Sequence, residues 1–109
     1  MDKMEKLYKY DIIVEKVGVE EVLAQLAEES SELSQAALKL RRKLTDKNPT
    51  PTRIEICSDN FTEEIADVIL CLNILGWLTT YKRAKIEEIK EYKLDRWLER
   101  LKEVEENGD

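Results

Sequence analysis

Between Val19 and Leu44 the apolar residues Val22, Leu23, Leu26, Leu33, Ala37, Leu40 and Leu44 recur at a spacing that places them on one face of an α-helix. A stripe of that length must be covered by other apolar surface, so it commits the chain to helix packing. The composition points the same way. With 3 Gly and 2 Pro in 109 residues there is little material for the turns of an all-β fold. Apolar residues at 42% supply a core, and 39% charged residues suit helices with one buried and one solvated face.

The pattern predicts four helices. The first spans about Lys3 to Val17, with Leu7, Tyr8, Ile12 and Ile13 at loose helical spacing, and is interrupted by Gly18. The second is Val19 to Leu44, closing on Lys39, Arg41, Arg42 and Lys43, cations that suit a helix C-terminus. Thr45 to Pro51 is a connector, with Asp46, Asn48, Pro49 and Pro51 as turn formers. A third helix is expected from about Arg53 to Thr80, with Thr52/Glu55 or Asn60/Glu63 as capping boxes. Its stretch from Ile65 to Leu78 is apolar almost all round, which makes it the expected central helix. A turn at Tyr81 to Ala84 leads to the fourth helix, about Lys85 to Glu106. The expected fold is all-α: one compact antiparallel four-helix bundle-like domain over residues 1–109. A chain this short buries little surface by itself, so completion by oligomerisation, as a homodimer or homotetramer, is also expected.

A net charge of −6 argues against nucleic acid or an anionic membrane surface as partner. Cys57 and Cys71 sit in apolar stretches without framework spacing and read as reduced core thiols. No run approaches membrane-spanning length, and the first six residues lack an apolar signal core; a cytoplasmic protein is expected.

The informative residues are charges that break the stripes. Glu29 falls between Val22, Leu33 and Ala36, with Glu32 one turn on; Asp67 falls among Cys71, Ile74 and Leu78, with Glu64 one turn earlier. Carboxylates facing a core lose hydration, and four together repel one another unless a cation sits between them. Mg²⁺ suits such a site because it is hard and takes oxygen ligands. The competing reading pairs these acids with Lys39, Arg41 or Arg96, or leaves them in solvent. On the fourth helix the stripe Ile86, Ile89, Trp97, Leu101 and Val104 is broken by Lys93, flanked by Arg96 and Arg100. Such cations suit phosphate oxygens, although a lysine here can equally extend its ammonium into water.

The string Leu26-Ala27-Glu28-Glu29-Ser30-Ser31-Glu32-Leu33 resembles the Glu-Glu-x-x-Glu motif of MazG-like nucleoside triphosphate pyrophosphohydrolases. Glu63-Glu64-Ile65-Ala66-Asp67-Val68 resembles its Glu-x-x-Asp partner, and Lys93-Leu94-Asp95-Arg96 the basic element on that family's last helix. The likeness runs in order from about Ala24 to Leu101. The departures are a slightly long inter-motif stretch, the Ser30-Ser31 pair, and Leu94 where an aromatic is usual; none removes a carboxylate. The resemblance implies hydrolysis of a nucleoside triphosphate to the monophosphate and pyrophosphate. It implies Glu29, Glu32, Glu64 and Asp67 as ligands of Mg²⁺, with Mn²⁺ able to substitute. Glu28 would support the metal ligands from outside or act as a base that orients the attacking water, and Lys93 and Arg96 would bind the phosphates.

A ferritin-like di-iron site needs Glu-x-x-His, and the chain has no histidine. The rival from another class is a non-catalytic helical module that binds a nucleotide or a protein. Trp77, Tyr81, Tyr92 and Trp97 are available to stack on a base, although aromatics at helical spacing are more often packing.

Overall fold

A computed structural model describes residues 3–45 and 47–108, and those residues are helical apart from short connections. The helices are α1 (Lys3–Val17), α2 (Val19–Thr45), α3 (Ile54–Ile74) and α4 (Thr80–Glu106). The chain divides into two compact units, residues 1–76 and 77–109. The first holds α1 to α3; the second holds α4 and the turn before it.

Within the first unit, α2 and α3 make an antiparallel helical hairpin, and α1 packs on both. Gly18 separates α1 from α2 in a left-handed conformation at φ +93°, while its amide still donates to the Val14 carbonyl at 2.9 Å. The α2–α3 connection carries Pro49 and Pro51, as expected, and Lys43 Nζ ties it down by donating to the Thr50 carbonyl at 3.2 Å. Asp46, the first expected turn former, lies outside the described residues. No capping box forms: Arg53 is the N-cap of α3, in extended conformation, and no side chain caps the helix. The Asn60 alternative fails because Asn60 lies inside a continuous helix.

The third helix ends six residues before the expected Thr80. Gly76 takes φ +77°, a left-handed conformation that stops the helix after Ile74, with the Gly76 amide donating to the Asn73 carbonyl at 3.0 Å. Tyr81 to Ala84, expected as a turn, instead form the first turn of α4. Among the described residues the buried apolar set is small: Val22 and Ala36 on α2, Cys57 and Cys71 on α3. Both cysteines are free thiols. The third helix, expected to be central, is not enclosed on all sides: Ile69 and Leu70 are exposed. No described helix is long and apolar enough to cross a membrane.

Candidate metal centre

Antiparallel packing of α2 on α3 puts the two acidic motifs opposite each other. Carboxylate oxygens of Glu29, Glu64 and Asp67 lie within 4.8 Å of one another, and all three side chains are half-buried. Helical spacing explains the convergence: Glu64 and Asp67 are three residues apart and share a face of α3, while Glu29 interrupts the stripe by which α2 meets that face.

The electrostatics are unbalanced. Oε2 of Glu29 and Oε2 of Glu64 are both shut off from solvent without a hydrogen-bond partner. Gln25, one turn earlier on α2, donates from Nε2 to Glu29 Oε1 at 2.8 Å, and so steadies one oxygen only. Among the described residues, Glu29, Glu64 and Asp67 make no ion pair; the pairs present lie elsewhere, on the exposed Arg53–Glu55, Lys85–Glu88 and Glu87–Lys90. Burial, reinforced by the charges of Glu32, Asp67 and Glu29, pushes the Glu64 carboxyl from 4.5 up to about 7. Once protonated, Glu64 can donate to Glu29, which further favours the proton. Asp67 is raised for the same reasons, burial first and then Glu29 and Glu63. The Cys71 thiol, one turn along α3 from Asp67, is raised by its own burial and by Glu29 and Asp67.

Two ionised carboxylates with enclosed oxygens and no donor are a costly arrangement. A proton shared between them relieves part of it at low pH. Glu29, Glu64 and Asp67, with carboxylate oxygens within 4.8 Å of one another, are the residues that could hold an oxygen-preferring cation, whose charge would offset theirs at neutral pH.

The remaining expected residues are placed differently. Glu32 is exposed at the edge of the cluster, near enough to raise Glu64 but outside the group of three. Glu28 is exposed on α2, away from the face that carries Glu29. Lys93 and Arg96 belong to the second unit and are exposed on α4, where the Arg96 guanidinium lies 5.9 Å from the Tyr92 ring centre.

The structure adds a groove of about 420 Å³ between α2 and α3, opening from the carboxylates and lined by Glu32, Gln35, Lys39, Thr52, Asn60 and Glu64. Sequence reading missed the groove and the Gln25 contact. The latter had a signal in the four-residue spacing of Gln25 and Glu29. Lys39 lines this groove rather than neutralising the cluster, so the pairing considered for it above is not formed. No protein-family model matches the chain, and neither a curated protein nor a solved structure matches it.

Proposed function

We propose that this protein is a cytoplasmic, Mg²⁺-dependent nucleoside triphosphate pyrophosphohydrolase that works as a homo-oligomer, its helices completing an antiparallel bundle. The observation that carries the reading is the meeting of Glu29, Glu64 and Asp67 from two helices around enclosed oxygens that no protein donor satisfies. The order of the acidic and basic motifs along the chain supports the substrate class.

On this reading Glu29, Glu64 and Asp67 hold the metal, and Glu32 at the rim completes the set. Mg²⁺ there supplies charge neutralisation on the phosphates and a more acidic water. Glu28, which the resemblance assigns to helping orient the water, is exposed on α2 away from the face of Glu29, so a carboxylate of the cluster itself would be the nearer acceptor of the water's proton. The water oxygen bonds to the α-phosphorus, the bond from that phosphorus to the α–β bridging oxygen breaks, and pyrophosphate leaves with the electron pair. Lys93 and Arg96, in the second unit, are the cations that the resemblance assigns to phosphate oxygens, the lysine suited as a point charge and the arginine as a planar fork. The groove beside Glu32 and Glu64 offers room for the nucleoside.

The test is turnover of nucleoside triphosphates by Glu64→Gln and Asp67→Asn. Either should lower Mg²⁺-dependent kcat by at least about a hundredfold, the scale on which loss of one positioned electrostatic group is felt. Unchanged turnover in both would remove the assignment.

A further inference from the structure

Lys39 has none of the duties that usually hold a lysine on a helix. Its neighbours three and four residues away are Gln35, Ala36, Arg42 and Lys43, so no acid on α2 pairs with it and two cations repel it. The last turn of α2 is already served by Arg42 and Lys43. Among the described residues Lys39 makes no ion pair. It nonetheless lines the groove that opens from the carboxylates. That groove changes character along its length. At one end are the acids Glu32 and Glu64, beside the metal cluster. In the middle, Gln35 of α2 and Asn60 of α3 bring one amide from each wall. The floor there is small and apolar, with Ala36 9% and Cys57 3% exposed. At the other end are Lys39 and Thr52. Every one of these residues belongs to the first unit, so α2, α3 and their connection set the chemistry of the groove by themselves.

An apolar floor between polar walls suits a flat heterocycle. The seven residues from Glu32 to Lys39 rise about 10 Å along α2. Long side chains on a helix lean toward its N-terminus, which for Lys39 is toward the acids. This is the reach over which a nucleotide held by its phosphate carries the far edge of its base. An ammonium donates hydrogen bonds and accepts none. At that edge uracil, thymine and guanine present a carbonyl oxygen, whereas cytosine and adenine present an amino group, itself a donor. We propose that the groove holds the nucleobase and selects bases with an oxo group at this edge, Lys39 donating to the oxygen. Gln35 and Asn60 each offer a carbonyl that accepts from the adjacent ring N–H of such a base. An amino base would instead set its N–H groups against the ammonium and leave donors on both sides unpaired. The inference rests on the pyrophosphohydrolase reading above and deepens it by naming the class of substrate.

The test is kcat/KM of the full chain in Mg²⁺ for UTP against CTP and for GTP against ATP. Wild type should prefer UTP and GTP at least about tenfold, within the range by which one well-made contact to a base edge discriminates. Lys39→Arg keeps the donors and should keep the sense of the preference. Lys39→Met keeps the apolar stem, loses the donors and should abolish the preference. A wild type without preference, a preference that survives in Lys39→Met, or one that is lost in Lys39→Arg overturns the proposal. So does a uniform loss on all four substrates in Lys39→Met, the outcome for a lysine that holds phosphates. Calorimetric titration with UMP, CMP, GMP and AMP in Mg²⁺ separates the groove from the reaction. Monophosphates bound in the same order of preference by a chain that hydrolyses no triphosphate would sink the pyrophosphohydrolase reading and leave the groove standing. Turnover without base preference would do the reverse. A chain that neither turns over triphosphates nor binds the monophosphates loses both.

Discussion

Replacing Glu64 by Gln should make the metal-free protein more stable and shrink the stabilisation that Mg²⁺ provides. In the wild type, three carboxylates lie within 4.8 Å and Glu64 keeps its proton up to about pH 7 rather than 4.5. Between those values the folded chain binds more protons than the unfolded chain, so stability present below pH 4.5 is lost as pH rises through about 7. Glutamine is neutral throughout, and its amide can donate to Glu29. The variant should therefore melt higher than wild type in EDTA at pH 8, with a flatter pH profile, Asp67 keeping part of the slope in the same direction. Metal acts in the opposite direction and narrows the difference. Mg²⁺ at a hundred times its Kd stabilises the fold by about 2.7 kcal/mol, roughly a 10 °C rise in Tm for a chain of this size. Losing one of three carboxylate ligands costs affinity at least about 10–100-fold, by comparison with mutation of residues that merely orient ligands. At the same Mg²⁺ concentration the gain then falls to about 1.4 or about 0.4 kcal/mol, a rise of some ~5 °C or less. Scanning fluorimetry of both proteins, with EDTA and with Mg²⁺ at pH 5, 6, 7 and 8, reads every part of this. A Glu64→Gln protein less stable than wild type in EDTA at pH 8, or one with an undiminished Mg²⁺ shift, would refute the electrostatic account.

Three further outcomes follow from the packing. Val22 is 4% exposed, so Val22→Ala should lower stability by roughly 2 kcal/mol from lost burial and an unfilled cavity, seen in urea as a lower midpoint at unchanged slope. Gly76→Ala should cost about 1 kcal/mol through its φ of +77° alone, because nothing stands within 4 Å of the added methyl; a free-energy change near zero would refute the strain argument. With its thiol raised by burial and by Glu29 and Asp67, Cys71 should be alkylated at pH 8 more slowly than a free thiol, and faster once the chain is unfolded in urea.

The helical fold was legible because it depends on periodicity: α1 was expected at its observed bounds, and α2 extends one residue beyond its expected end. The break at Gly76 was misread because the apolar run continues across it to Leu78, and periodicity is blind to a single left-handed residue. Burial of α3 was overestimated for a related reason. A helix apolar all round reads as surrounded, whereas in the first unit its neighbours leave Ile69 and Leu70 exposed. At the candidate site, Glu29, Glu64 and Asp67 were each visible as a charge in an apolar stripe, and antiparallel packing brings them together. Glu32 was expected in the same group because it is one turn from Glu29. The same three-residue spacing brings Glu64 and Asp67 together on α3, but on α2 it leaves Glu32 exposed at the rim of the groove. The enclosed, unpartnered oxygens depend on three-dimensional packing and had no sequence signal.

The central claim is tested most directly by product analysis. Purified chain is mixed with a panel of ribo- and deoxynucleoside triphosphates, in Mg²⁺ and in EDTA, and nucleoside monophosphate, pyrophosphate and orthophosphate are quantified. The account predicts monophosphate and pyrophosphate in equal amounts, dependent on metal, for at least one member of the panel. No turnover across the panel, with no change of Tm on adding Mg²⁺, would contradict it and leave a non-catalytic helical module.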